Sequence, residues 1–381
     1  MNVAVFVGGV NVSRDRTRLA QGSISVLVST PGRLIDHLQN THGFAKTLSH
    51  VNVVILDEAD RLLDMGFKPD IERILSFLPP TNKRQTLLFS ATVPPSITAI
   101  AKDALNPNYV RLDTTGLASD DSGSTHMHVH QDMLCTGLSE TIPAIGAVIR
   151  QEIESSRAQG YKIIVFFPTA RTTAYMASVF SAAGLNVVEI HSRKSQAYRA
   201  KASDKFRDNN DLVMFSSDVS ARGMDYPGVT FVLQVGITDK EQYIHRLGRT
   251  ARAGTDGRGM IIVSDFEKQA MVQELKDLPL HAFELSQLKS FEMCKNQYEM
   301  VLGEFLTNPE YLQAAERGYA AWLGFYLSHT RKLRVSKDDI VQLANRMSAE
   351  VMKLRNVPGL NKRTIGKMGL RNVQGITVLK E

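Results

Sequence analysis

Cysteine is nearly absent. Cys135 and Cys294 are the only two, too few and too far apart for a disulfide framework or a zinc cage, so a reducing compartment is the default expectation. No apolar run approaches the roughly 18 to 20 residues that a membrane helix needs, and the chain reads as soluble, with no membrane partner. The opening Met-Asn-Val-Ala-Val-Phe-Val lacks the basic lead and apolar length of a secretory signal, and the Arg/Ser pattern of a transit peptide. It reads as a strand, and a strand with nothing before it raises the expectation that upstream sequence is missing. Neither sign of charge dominates: 45 Lys plus Arg against 39 Asp plus Glu leaves +6, a balance that suits a polyanionic partner or simple solubility. With 43% apolar and 22% charged residues over 381 positions, two to three domains with a sizeable core are expected.

Up to about residue 115, β-branched runs at Ile24–Val28, Val51–Leu56 and Thr86–Phe89 alternate with longer helical patterns, the signature of βαβ units and a parallel sheet. Thr114–Ser124 shifts to Gly, Ser, Thr and Asp and reads as an exposed linker. An amphipathic stretch at Ile142–Ile153 then precedes strands at Lys162–Phe167, Val187–Ile190, Leu212–Phe215, Phe231–Val235 and Met260–Val263, a second α/β domain. Past about Leu280 three helical segments are expected, roughly Phe283–Leu306, Pro309–Lys332 and Lys337–Leu354. Asn308 with Pro309 offers an N-cap and a proline at N1, and Ser336 with Asp339 has capping-box spacing.

Three motifs carry chemistry. Asp57-Glu58-Ala59-Asp60 follows a buried-strand pattern, where open α/β sheets bind ligands. A carboxylate there can hold magnesium on nucleotide phosphates, and an adjacent Glu can orient or deprotonate the attacking water; an N-cap on the following helix explains the same residues. Ser90-Ala91-Thr92 sets two hydroxyls at the mouth of the next strand, either to sense a bound phosphate or to cap a helix. His245-Arg246-Leu247-Gly248-Arg249-Thr250-Ala251-Arg252 supplies arginines at i, i+3 and i+6, near one face if helical, as needed to reach phosphates held by the other domain. A solvated basic face is the alternative.

Taken in order, these and other signatures resemble a DEAD-box RNA helicase of superfamily 2: Gly8-Gly9, Thr30-Pro31-Gly32-Arg33, the acidic box, Ser90-Ala91-Thr92, Phe166-Phe167-Pro168-Thr169, Gln196 with Arg199, Asp218 to Asp225, and His245 to Gly254. The resemblance covers Val7 to about Leu278. It implies an α/β fold of two RecA-like parallel-sheet domains, the first incomplete, plus an α-helical extension. The expected division is 1–114, a linker 115–136, a second domain 137–281 and a basic extension 282–381.

The resemblance also implies roles. Asp57 would hold Mg2+ and Glu58 would act on the hydrolytic water, while Asp60 would couple to Ser90 and Thr92. Arg249 and Arg252 would reach the ATP γ-phosphate, Arg252 as arginine finger; Gly223 and Asp225 would meet the nucleotide, and His245 and Arg246 would link the domains. RNA, single strand or duplex and without regard to sequence, would touch Gly9, Thr30, Gly32, Arg33, Thr169, Ser217 and Asp218 through its phosphates and 2′-hydroxyls. Closure of the two domains on ATP and RNA would bend one strand away from its partner. A base-pair step costs about 1.4 kcal/mol, so local strand separation is expected, from a monomer.

Departures are confined. These residues contain no Gly-x-x-x-x-Gly-Lys-Ser/Thr, and the adenine-reading glutamine segment and Pro-Thr-Arg-Glu motif that should precede Gly8 are missing. A first domain truncated at one edge explains all three, with weak ATP binding and no appreciable turnover expected. Ser217 stands where the family usually has Thr, and Ser192 where Gly is usual.

From Arg331 to Glu381, 12 Lys plus Arg face 4 Asp plus Glu. This extension resembles that of fungal mitochondrial DEAD-box RNA chaperones, which implies added non-specific RNA affinity, a part in RNA splicing and residence in the mitochondrial matrix, with nucleolus or cytoplasm as the alternatives. Tyr319, Trp322, Phe325 and Tyr326 share a helical face and read as core rather than as a base-stacking platform. His126, His128 and His130 alternate and could converge as metal ligands; lacking a fourth ligand nearby, a pairing strand is the preferred reading. Two rivals remain: a non-catalytic RNA-binding protein derived from a clipped helicase, and a DNA-directed helicase on the same fold.

Overall fold

The structure, a computed structural model, describes residues 1–64, 66–90, 95–112, 129–218, 224–251, 257–305 and 307–379. Two compact units divide between Thr114 and Thr115. The first comprises β1 (Val3–Phe6), α1 (Val12–Ala20), β2 (Val26–Ser29), α2 (Pro31–Asn40), α3 (Phe44–Leu48), β3 (Val53–Leu56), α4 (Ala59–Asp64), α5 (Lys68–Ser76), β4 (Gln85–Leu88) and α6 (Pro95–Ala104). β1 pairs in parallel with β2, and β3 with β4. Ala4 and Phe6 turn inward onto Leu38, Phe44 and Leu48, while Ile71, Ile100 and Ala104 form a second small cluster beneath Leu56 and Leu88. The opposite side of these ladders is bare: Val5 is 59% and Ile55 58% exposed, although parallel strands are ordinarily covered on both faces.

The second unit is an all-parallel seven-stranded sheet, in the order β11-β5-β10-β9-β6-β8-β7. Its elements are β5 (His130–Thr136), α7 (Thr141–Ser156), β6 (Lys162–Phe166), α8 (Ala170–Ala182), β7 (Val187–Ile190), α9 (Gln196–Asp208), β8 (Leu212–Ser216), β9 (Phe231–Val235), α10 (Lys240–Leu247), β10 (Arg258–Ser264), α11 (Asp265–Glu274) and β11 (Leu280–Phe283). Successive side chains of the central strands serve opposite faces. Ile163, Val165, Phe231 and Leu233 enter the larger core, and Ile164, Phe166, Met214 and Val232 the smaller one. Both faces being covered, the strands read as continuous apolar runs.

Two expectations need correction here. The linker expected over 115–136 ends earlier, because His130–Thr136 is a full strand flanked by β10 and β11. The helix expected from Phe283 starts at Phe291, since β11 and a short 3-10 turn, Leu285–Gln287, occupy the preceding residues.

The extension continues with α12 (Phe291–Phe305), α13 (Pro309–Leu327), α14 (Thr330–Leu333), α15 (Lys337–Arg346), a π turn at Met347–Val351 and α16 (Lys362–Met368). Asn308 caps α13 through the Glu310 N–H, and Ser336 and Asp339 form a reciprocal capping box on α15. α13 packs on α8, and α12 on α7. Tyr319, Trp322, Leu323 and Tyr326 join the larger core of the sheet, so sheet and extension share one hydrophobic interior. Close approach at α7–α12 depends on Gly146, where a Cβ would lie 2.3 Å from the Tyr298 ring. Among the described residues no helix is long and apolar enough to cross a membrane.

Candidate functional site

In the first unit, the candidate residues collect at the carboxyl ends of parallel strands. The β3–β4 ladder continues past its last pair, Leu56 with Leu88: Phe89 N–H donates to the Leu56 carbonyl (2.8 Å) and Ala59 N–H to the Phe89 carbonyl (3.0 Å). That stitching sets Asp57 to Asp60 beside Ser90. Asp57 is exposed and accepts the Glu58 N–H at 3.0 Å. Glu58 has φ +47°, the left-handed region, which costs a non-glycine residue on the order of 1 kcal/mol. Its carboxylate lies 3.6 Å from Arg61. Asp60 is 3% exposed and accepts the Arg61 N–H at 2.9 Å in the first turn of α4. The acidic box therefore starts a helix and presents a partly exposed Glu in strained backbone. Thr92 lies outside the described residues.

β1 and β2 end in a second stitched pair of loops. Gly8 N–H donates to Thr30 Oγ1 (3.3 Å) and Thr30 N–H to the Phe6 carbonyl (3.2 Å). Gly9 turns with φ +82°. Thr30 stands at the N-cap of α2, followed by Pro31 and by Gly32, above which space is open. Such a helix start offers N–H groups and a positive dipole end to a phosphate. Arg33, expected to touch RNA, is instead turned inward: it is 9% exposed, pairs with buried Asp15 at 3.1 Å and donates to the Val10 carbonyl. It braces the Gly8-Gly9 loop.

In the second unit, Thr169 caps α8, its Oγ1 accepting the Thr172 N–H at 3.0 Å, while Ser217 is buried after β8. Asp218 is bound twice by Arg246, from Nε at 2.9 Å and from Nη2 at 2.6 Å. Arg246 is 1% exposed and also stacks over Phe166, 5.5 Å from the ring centre. The arginine run does not form a single helical face, because α10 stops at Leu247 with Gly248 as C-cap. Arg246 points into the domain, whereas Arg249 lies past the helix end, donating to the His245 carbonyl at 3.3 Å and to the Met224 carbonyl. Asp225 is exposed and His245 half-buried in the last turn of α10. Gly223 and Arg252 lie outside the described residues.

The sequence reading missed a basic cluster beside Thr169. Burial first, and then the charges of Arg193 and Arg317, pull the Arg171 guanidinium below its ordinary pKa. Like charges placed near one another favour a bound anion. Arg171 directly follows the Thr169 motif and could have been suspected. Arg317 comes from α13, and only the packing of α13 on α8 brings it near.

Parallel α/β units with an acidic turn at the strand ends, helix N-termini alongside and a braced arginine–aspartate pair define a RecA-like helicase architecture. Comparison with known proteins agrees. Residues 1–100 match the DEAD/DEAH box helicase family and 144–254 the helicase conserved C-terminal domain. The chain is 41% identical over 377 residues to DEAD-box ATP-dependent RNA helicase 31 of Arabidopsis thaliana, covering 99% of this chain and 50% of that protein. It is 40% identical to DEAD-box ATP-dependent RNA helicase 26 of Oryza sativa subsp. japonica, covering 99% and 67%. The structure of Mss116p bound to ssRNA and AMP-PNP is similar, with TM-score 0.78, 26% identity, and 99% of this chain and 75% of that chain covered. This chain belongs to the DEAD-box RNA helicase family. It spans 50% and 67% of the length of these two curated relatives, and the alignments run through the helical extension.

Proposed function

We propose that the chain is the ATP- and RNA-handling part of an RNA helicase or RNA chaperone that separates strands locally. The observation that carries this reading is Glu58, held in left-handed backbone between Asp57 and Asp60 at the open end of the β3–β4 ladder. Strain of this kind clusters at functional sites.

Asp57, an exposed hard-oxygen donor, suits Mg2+, which commonly takes one or two carboxylates with water and substrate phosphates. Bound there, the ion would neutralise charge on the triphosphate. Glu58 would orient the attacking water and take its proton. Asp225, His245 and Arg249 would complete the site from the second unit together with Gly223 and Arg252. For Arg249 that requires leaving the carbonyls of His245 and Met224. Arg246 serves by fixing Asp218. RNA phosphates would lie on the helix starts at Thr30 and Thr169, with Arg171, Arg193 and Arg317 adding charge. Exposed Arg355, Lys362, Arg363, Lys367 and Arg371 would extend the basic surface. A part in RNA splicing and residence in the mitochondrial matrix belong to the same proposal.

These 381 residues contain no Gly-x-x-x-x-Gly-Lys-Ser/Thr, whose N–H groups cradle phosphates, so by themselves they should bind ATP weakly and turn it over negligibly while still binding RNA. A second reading is occupancy of RNA without catalysis; a phosphate-binding loop encoded upstream of Met1 would exclude it. The test pairs ATP hydrolysis with RNA binding across a salt series. Changing Lys362, Arg363, Lys367 and Arg371 to Gln should lower the slope of log affinity against log salt by about 0.7 for each RNA phosphate that is no longer neutralised. An unchanged slope removes the extension from the RNA surface, hydrolysis at a full helicase rate refutes the weak-ATP claim, and hydrolysis stimulated by DNA but not RNA would replace the assignment.

A further inference from the structure

The edge of the second unit's sheet carries a cluster that the helicase reading leaves unused. His130 opens β5, Asp132 follows on the same face, and β11 lies in register so that His281 is the cross-strand neighbour of Asp132. One ligand atom from each of the three lies within 4.8 Å of the others, and His130 Nε2 is 3.0 Å from Asp132 Oδ1. Donors around tetrahedral zinc, with bonds of about 2.0–2.2 Å, sit roughly 3.4 Å apart, so the three groups are within reach of a closed site by rotation of their side chains.

We propose that His130, Asp132 and His281 bind one borderline divalent transition-metal ion, zinc foremost, at the β5–β11 edge. Two observations beyond proximity support it. His281 Nδ1 is 3.2 Å from the Gln131 carbonyl, which can only accept, so Nδ1 carries the proton and Nε2 keeps its lone pair. Metal-binding histidines are oriented in this way. The second observation is a shortage of positive charge. Asp132 and Glu152 have side chains 6% and 7% exposed and, among the described residues, share one guanidinium, Arg258, at 3.6 Å and 3.0 Å, His130 being the other neighbour of Asp132. A divalent ion on the other oxygen of Asp132 supplies the balance, with Arg258 as the outer partner that fixes the carboxylate.

The two rings stack nearly parallel, 4.9 Å apart with 11° between planes; because a ring nitrogen's lone pair lies in the ring plane, one ring must turn about its χ2 for both to meet one ion. Two imidazoles and a carboxylate select zinc, cobalt, nickel or copper over magnesium or calcium. A water would fill the fourth position. The ion would clip β11, which leads into the extension, to β5.

The test uses the full 381-residue chain, stripped with chelator and titrated with Zn2+ alone, then with Co2+ as a spectroscopic probe. One zinc per chain is expected, with a rise in melting temperature and tetrahedral-type visible bands for Co2+. His281→Ala and His130→Ala, at exposed positions that should not disturb folding, should each weaken binding about tenfold or more. The His126→Ala/His128→Ala double variant should leave it intact. Absence of binding, or binding lost with His126 and His128 but untouched by His281→Ala, overturns the proposal. The wild-type Co2+ spectrum decides the question even if a variant fails to fold.

Discussion

The Tyr326 hydroxyl, carried by α13 of the extension, donates to the buried carboxyl of Glu267 in the first turn of α11. The same carboxyl accepts the N–H groups of Ile237 (3.1 Å) and Ser264 (2.7 Å). One acid group thus joins the extension, the loop after β9 and the end of β10.

Tyr326→Phe keeps the ring and removes the donor. Leaving a buried acceptor short of a partner costs roughly 1–3 kcal/mol, so the stability of the second unit, read from its urea midpoint, should fall by that amount with unchanged slope. An unaltered midpoint would show the bond to be energetically idle.

Glu267 also sets a pH dependence. Burial outweighs the hydrogen bonds from Tyr326, Ser264 and Ile237, and its pKa is pushed up to about 7, against about 4.3 for an unfolded Glu. Between those values the folded chain holds a proton that the unfolded chain has released. Stability from this group is therefore complete below the unfolded pKa and is lost as pH rises through about 7. Urea midpoints measured between pH 5 and 8, taken as about the range where only this group and the histidines titrate, should decline with pH. Glu267→Gln should flatten the decline.

Gly146→Ala distinguishes packing from propensity. In a helix interior the change ordinarily stabilises by about 1 kcal/mol, yet here the new Cβ would lie 2.3 Å from the Tyr298 ring. Overpacking of this kind costs roughly 1–3 kcal/mol, and a net loss of stability is expected. Tyr298→Leu in the same chain should recover part of it, a coupling that a double-mutant cycle measures.

Glu58→Gly should leave the first unit as stable or up to about 1 kcal/mol more stable, since glycine adopts positive φ without strain. Thermal melting of the variant checks this. A marked loss of stability would mean that the Glu58 side chain holds the turn together.

What the sequence made legible was local. Asp57 to Asp60 and the Ser336/Asp339 box are runs of neighbours whose turns and caps depend on adjacent residues, and each sits at the element end expected of it; Thr30 to Arg33 likewise opens a helix. The inward rotation of Arg33 was hidden because its partner Asp15 lies on α1. The arginine periodicity misled because Gly248 ends α10 two residues after Arg246. β11 was invisible: Leu-His-Ala-Phe is short and half exposed, and its partner strand lies about 150 positions earlier. His281 with Asp132, and Arg171 with Arg317, are likewise products of tertiary register, which no window of sequence displays.

The interior shared by sheet and extension has a mechanical corollary. A pull applied near Leu370 reaches β6 through α13 and α8 without crossing a joint, so residues beyond the sheet behave as a rigid lever arm rather than a tether. A load placed there should therefore be felt at the strand ends that carry Thr169 and Ser217.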